Sequence, residues 1–172
     1  AYLEGELLED YLHDLDIAQQ YAKENRLAMA KAIEKCLGIG QDIICDSIHN
    51  YIELKKDGSK PVLRKGACRA EKDEMLVIPL NMRDGVILAK GKGNEEWNKS
   101  APHGAVRIYS RKRAKSELDI DEFVEEMKDV YSTSVDKSTL DESPMAYKQK
   151  EEILTAIKDT VDIEDIIKPI YN

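Results

Sequence analysis

The spacing of hydrophobic residues changes several times along this chain. Between Leu7 and Leu37, the residues Leu15, Ala18, Ala22, Met29, Ala32 and Cys36 fall three, four or seven apart and leave a polar opposite face. That spacing predicts one long amphipathic helix, with Gly38 as its C-cap. From Ile43 to Leu54 the period becomes two. Asp46, Ile48, Asn50, Ile52 and Leu54 share one face, and Cys45, Ser47, His49, Tyr51 and Glu53 the other, which predicts a strand. Asp57-Gly58 is a turn signal, and Lys60–Gly66 reads as the returning strand of a hairpin. A second hairpin runs from Met75–Pro79 through a turn at Asp84-Gly85 to Val86–Ala89. Its first strand is apolar on both faces, which predicts a central position in the sheet.

Asp119 followed by Glu122 marks a helix start. Ile120, Phe123, Val124, Met127 and Val130 follow at helical spacing, so this helix is expected to dock on the body. Tyr131–Ser143 is a polar connection, a last helix spans about Gln149–Lys158, and Ile163–Ile170 is an apolar element of unassigned type. With no internal repeat and no linker, the pattern predicts a single α+β domain over residues 1–172. It would have a helical lead-in, antiparallel hairpins and packing helices.

Composition narrows the function classes. The chain has 172 residues, 42% hydrophobic and 35% charged, which supports a modest globular core. A net charge of −8 and a pI near 5.0 argue against broad, charge-driven nucleic-acid binding, so any RNA contact must be local. No apolar run is long enough to span a bilayer and no signal peptide is visible. Cys36, Cys45 and Cys68 are odd in number and lack CxxC spacing, which points to reduced thiols and a cytoplasmic location. The chain begins with alanine, which points to a processed product or a piece of something longer.

The chemistry concentrates in Gly91–Arg113. At its centre, His103 lies between Pro102 and Gly104, and Arg107, Arg111, Lys112, Arg113 and Lys115 follow within twelve positions. Proline stiffens the loop, glycine permits close backbone approach, and guanidinium groups fork onto phosphate. A neutral imidazole held there can serve as a nucleophile towards phosphorus or as a metal ligand. The same residue types also suit a surface turn before a solvated basic helix start. His13, among acidic neighbours, reads as a solvated histidine. Trp97 reads as a half-buried packing residue, and Asn98 and Ser100 stand where they can orient His103.

Ala101–Arg107, with Ser110, Arg111, Ala114 and Lys115, resembles the Cys-Ser-His-Gly-Ala-Gly-Arg motif and the Ser-Arg-x-x-Ala-Lys run of the RtcB-type RNA ligases. Those enzymes join RNA ends bearing a 3′-phosphate or 2′,3′-cyclic phosphate to a 5′-hydroxyl. Arg64-Lys65-Gly66-Ala67, His49-Asn50 and Pro144–Lys148 match further segments of that family in its order. The resemblance implies that His103 is guanylylated by GTP, and that Gly104 and Ala105 present backbone to the nucleotide. It implies that Arg107, Arg111 and Lys65 meet phosphate or RNA. Tyr147 would lie against guanine, with Asn81 of the nucleotide loop also contributing, and His49 would ligate Mn2+, two ions serving each complete active site. It admits an archease-type activator as a partner.

Two departures qualify the resemblance. Leu80 and Arg83 stand where the family's Pro-Gly-Ser-Met-Gly loop has glycines, and Val106 replaces the glycine before Arg107. The family's upstream Asp, Cys and first two His ligands are absent, as is its terminal Lys-Gly. The expectation is the C-terminal part of a divergent RtcB-like catalytic domain, inactive alone because one histidine cannot hold a metal pair. The alternative is a non-catalytic nucleotide- or RNA-binding module on the same fold. If side chains fill the pocket at Leu80 and Arg83, that alternative gains.

Overall fold

The computed structural model describes residues 2–40, 45–54 and 61–172. The expected strand start at Ile43, the Asp57-Gly58 turn and Lys60 lie outside the described residues. The chain forms two compact units, residues 1–44 and 45–172.

The first unit is helix α1, Glu6–Leu37. It ends as its sequence requires, with Gly38 in the left-handed region (φ 67°) donating its N–H to the Glu34 carbonyl at 2.9 Å. No residue of α1 is buried; Leu7, Ile17, Met29 and Leu37 are each more than half exposed. His13 is exposed as expected. No helix among the described residues is long and apolar enough to cross a membrane.

The second unit is α+β. Its strands are β1 (His49–Glu53), β2 (Val62–Arg69), β3 (Met75–Pro79), β4 (Val86–Gly91), β5 (Ser100–Pro102) and β6 (Val161–Ile167). They form two three-stranded sheets, ordered β1-β2-β5 and β3-β4-β6, antiparallel throughout. Helices α2 (Arg111–Glu117), α3 (Ile120–Glu126) and α4 (Lys150–Ala156) and single 3₁₀ turns fill the connections.

The second hairpin forms as its pattern predicts, Met75 opposite Lys90 through Pro79 opposite Val86. Its turn is built by Asn81, whose Oδ1 accepts the N–H groups of Arg83 (3.0 Å) and Asp84 (2.8 Å). Arg83 and Asn81 also hydrogen-bond the Asp84 carboxyl. Burial opposes its ionisation, but those contacts outweigh it and hold the group below the usual carboxylate range. Strand β3 is nevertheless not central. The apolar element left unassigned at Ile163–Ile170 supplies most of β6, which pairs with β4 and makes β4 the middle strand. Only Leu76 and Ile78 of β3 are buried; Met75 and Val77 are half-buried.

One core gathers Cys68, Leu76, Ile78, Leu80, Ile87 and Ala101 from both sheets with Ile153 and Ile157 of the α4 region. Each large aliphatic side chain removed from water contributes about 1.5–3 kcal/mol. A second core centres on Phe123 with Met127, Val130 and Leu140. Helix α3 starts at Asp119, whose carboxylate accepts the N–H groups of Asp121 and Glu122, and it docks through Phe123. Val124 faces outward instead, 53% exposed, and Trp97 is 56% exposed rather than packed.

Candidate active site

The central strand β2 brings the two candidate histidines together. On one side His49 lies opposite Cys68; on the other Ala101 lies opposite Cys68 and Pro102 opposite Ala67, which delivers His103 beside Gly66. The alternation of β1 breaks at Asn50, which takes a left-handed φ of 58° where the register shifts. Its side-chain oxygen accepts the Gly66 N–H at 2.7 Å. Gly66 is itself left-handed (φ 71°), a conformation that strains an L side chain. The result is two exposed imidazoles stacked face to face, centroids 4.9 Å apart and planes within 6°.

Beside them is a cavity of about 150 Å3 lined by Ser47, His49, Cys68, Val77, Pro79 and His103. The loop after His103 is pinned to the end of β3: Ala105 donates its N–H to the Pro79 carbonyl at 2.8 Å. A Cβ on Gly104 would lie only 3.2 Å from that same oxygen, so the approach favours glycine. The divergent loop residues do not occupy this space. Leu80 buries its side chain in the first core, Arg83 turns to Asp84 and Glu126, and Val106 is 55% exposed.

A second cavity, of about 280 Å3, is lined by Asn81, Met82, Ser134, Thr139, Glu142, Tyr147 and Asn172. It unites two residues assigned separately to the nucleotide, Asn81 and Tyr147. The Tyr147 hydroxyl donates to Glu142 at 2.5 Å, and the Arg107 guanidinium lies 5.0 Å from the centre of its ring. Burial first, then the Glu142 carboxylate, pushes the Tyr147 phenol above its ordinary pKa, so it stays a neutral donor.

The basic run is largely neutralised. Arg107 bonds Glu142 (3.2 Å), the Tyr147 hydroxyl (3.0 Å) and the Asp141 carbonyl. Arg111 pairs with Asp141 (3.3 Å) and Glu142 (3.0 Å), Lys115 with Asp141 (3.1 Å), and Arg113 with Glu117 (2.7 Å). Burial opposes ionisation of Asp141, but Lys115 and Arg111 outweigh it and hold its carboxyl low. Lys112 and Lys65 form no ion pair among the described residues, and Lys65 is exposed. Sequence reasoning missed Asp141 and Glu142 as the clamp, because they fall in a stretch that reads as polar connection. It also passed over Arg64, which lies buried on β2 between the two histidine-bearing strands.

The whole chain, residues 1–172, matches the family model described as tRNA-splicing ligase RtcB. The chain belongs to the RtcB family. It is 31% identical to the RNA-splicing ligase RtcB of Escherichia coli K12, an alignment covering 94% of this chain and 43% of that protein. It is 32% identical to the tRNA-splicing ligase RtcB of Aeropyrum pernix, over 67% of this chain and 29% of the relative. The tRNA-splicing ligase RtcB of Nanoarchaeum equitans is 28% identical over 85% of this chain and 38% of the relative. The chain therefore spans less than half the length of these RtcB relatives.

A metal of the kind expected for an RtcB site does not find a full ligand set here. Among the described residues no three His, Cys, Asp or Glu side chains converge. The lone pairs of parallel stacked rings run along separate planes, so His49 and His103 in this arrangement do not meet at one ion. Burial pushes the Cys68 thiol up to about 11, so in the metal-free chain it stays protonated at neutral pH.

Proposed function

We propose that this chain is the guanylylation segment of an RNA ligase acting on 3′-phosphate or 2′,3′-cyclic phosphate ends and 5′-hydroxyl ends. The observation that carries the reading is the stacking of His49 on His103 at 4.9 Å beside an open cavity. Two histidines far apart in sequence, each matched to a family role, meet at one place.

In this reading a neutral ring nitrogen of His103 attacks the α-phosphorus of GTP. An N–P bond forms, the bond from that phosphorus to the bridging oxygen breaks, and pyrophosphate leaves. GMP then passes from His103 to the RNA 3′-phosphate, which frees the imidazole, and the 5′-hydroxyl displaces GMP to close the strand. Gly104 and Ala105 bring backbone close to the nucleotide. Tyr147 lies against the guanine ring, with Asn81 at the same cavity. Arg107 faces phosphate once it exchanges its Glu142 contact for the ligand. Arg111 and Lys65 serve the RNA backbone. His49 is proposed as one ligand of a Mn2+ pair whose other donors are not among the described residues. On that ground the chain alone is expected to be inactive.

The test is labelling by α-32P GTP of a protein of the relatives' full length that carries this segment. The expected result is a covalent label that is labile in acid and stable in alkali, as a phosphoramidate is. A folded protein that binds GTP and takes no label would favour the second reading, a nucleotide- or RNA-binding module. The observation behind that second reading is the carboxylate clamp on Arg107, Arg111 and Lys115.

Tyr147→Ala is expected to weaken GTP binding by about 1–3 kcal/mol, the scale of one base–aromatic stack, which is about fivefold to 150-fold in Kd. Nucleotide titration of the same full-length protein measures it. An unchanged Kd would remove Tyr147 from the base site.

A further inference from the structure

We infer that Arg64 is a positioning residue that sets the stacked His49–His103 pair. Its side chain is 1% exposed, and its guanidinium finds an acceptor for each of its five N–H groups. Nε donates to Ser100 Oγ at 3.0 Å. Nη1 donates to Glu53 Oε2 at 2.5 Å and Tyr51 Oη at 3.3 Å. Nη2 donates to the carbonyls of Asn98 at 3.2 Å and, weakly, Lys99 at 3.5 Å.

These acceptors come from two places that do not pair with each other. Tyr51 and Glu53 lie on β1, just past His49; Asn98, Lys99 and Ser100 lead through β5 into His103. In the order β1-β2-β5 the outer strands are separated by β2, and Arg64 on β2 ties one to the other. The segment it grips is strained. Asn98 and Lys99 are consecutive non-glycine residues at φ 49°, a region that asparagine tolerates and lysine seldom occupies. Their turn is held by Lys99 N–H to the Asn94 carbonyl (2.9 Å), Ala70 N–H to the Lys99 carbonyl (2.8 Å), and the guanidinium. With Asn50, three of the four left-handed non-glycine residues among the described residues lie on the segments carrying the two histidines. Strain of this kind persists only where surrounding contacts over-determine it. The planar fork of arginine reaches several acceptors at fixed angles; a lysine ammonium is a single point charge.

The test uses this chain, with histidine ring protons followed by NMR and the exposed His13 as internal reference. In Arg64→Lys the charge opposite Glu53 is kept and the core methyl resonances stay dispersed. The expected result is loss of the nuclear Overhauser contacts between the His49 and His103 rings, with their ring-proton shifts moving towards those of His13. Contacts and shifts that match wild type in a folded Arg64→Lys protein would overturn the inference. Should Arg64→Lys not fold, Ser100→Ala removes one of the five contacts. A selective shift of the His103 ring then supports the inference, and no shift overturns it.

The catalytic consequence rests on the reading of His103 as nucleophile, and it is read separately. GMP labelling of the full-length protein should fall at least tenfold in Arg64→Lys. Normal labelling with a lost stack would overturn the positioning role in catalysis. Failure of the nucleophile reading would instead show as a label that survives His103→Ala.

Discussion

His103→Ala, in a protein of the relatives' full length, is expected to take no label from α-32P GTP while keeping its fold. Deleting a nucleophile removes the bond-forming atom itself, and such losses reach about 10^6-fold in kcat. The structure makes the variant informative because the His103 side chain is exposed and belongs to neither core. Its removal forfeits one ring stack, about 0.5–1.5 kcal/mol, so melting should shift little. Among the described residues of the second unit His49 is the histidine close enough to compete, with its ring centre 4.9 Å away. A label that persists in His103→Ala but vanishes in His49→Ala would move the nucleophile to His49. A label that survives both would place the adduct elsewhere.

Arg64→Met is expected to destabilise the second unit by about 3–5 kcal/mol, the cost of breaking a buried ion pair from one side. Methionine roughly matches the volume, so the loss is polar. Glu53, only 15% exposed, loses its 2.5 Å partner and keeps the longer 3.5 Å contact with half-exposed Arg69. The Asn98 carbonyl and the Ser100 hydroxyl lose a donor each. For a unit of this size the melting temperature should fall by roughly 10 °C. Calorimetry on the chain measures it. A shift of one or two degrees would mean that water replaces the guanidinium, and that the pair carries little of the fold's stability.

Much of this fold was legible because its signals are local. The Leu7–Leu37 period, Gly38, the Asp119 cap and the Met75–Ala89 hairpin each follow from neighbours in sequence, and each is present. The strand Val161–Ile167 was not legible. Its sequence, Val-Asp-Ile-Glu-Asp-Ile-Ile, keeps Asp162 through Asp165 exposed, and only pairing with β4 makes it a strand. That long-range pairing also moved β3 to the edge. At the site, His49 and His103 were legible as motifs, but their contact depends on β2 lying between them. Arg64 carried a signal that went unused. Along β2, Arg64 and Cys68 fall on one parity and are buried, while Lys65 falls on the other and is exposed. A charged residue on an inward face needs partners, and that was the clue. The clamp of Asp141 and Glu142 had no such clue, since their partners lie about thirty residues earlier.

That clamp bears on how the protein would respond to salt. Five cations between Arg107 and Lys115 face three carboxylates, Glu117, Asp141 and Glu142, already seated on four of them. A polyanion arriving here trades places with carboxylates the protein supplies, and fewer counterions are shed from the nucleic acid than five bare cations would release. Single strands contribute a slope of about −0.7 in log affinity against log salt for each phosphate neutralised. If the proposed RNA ligand binds here, the slope for this chain's segment should therefore reflect a net of about two charges rather than five.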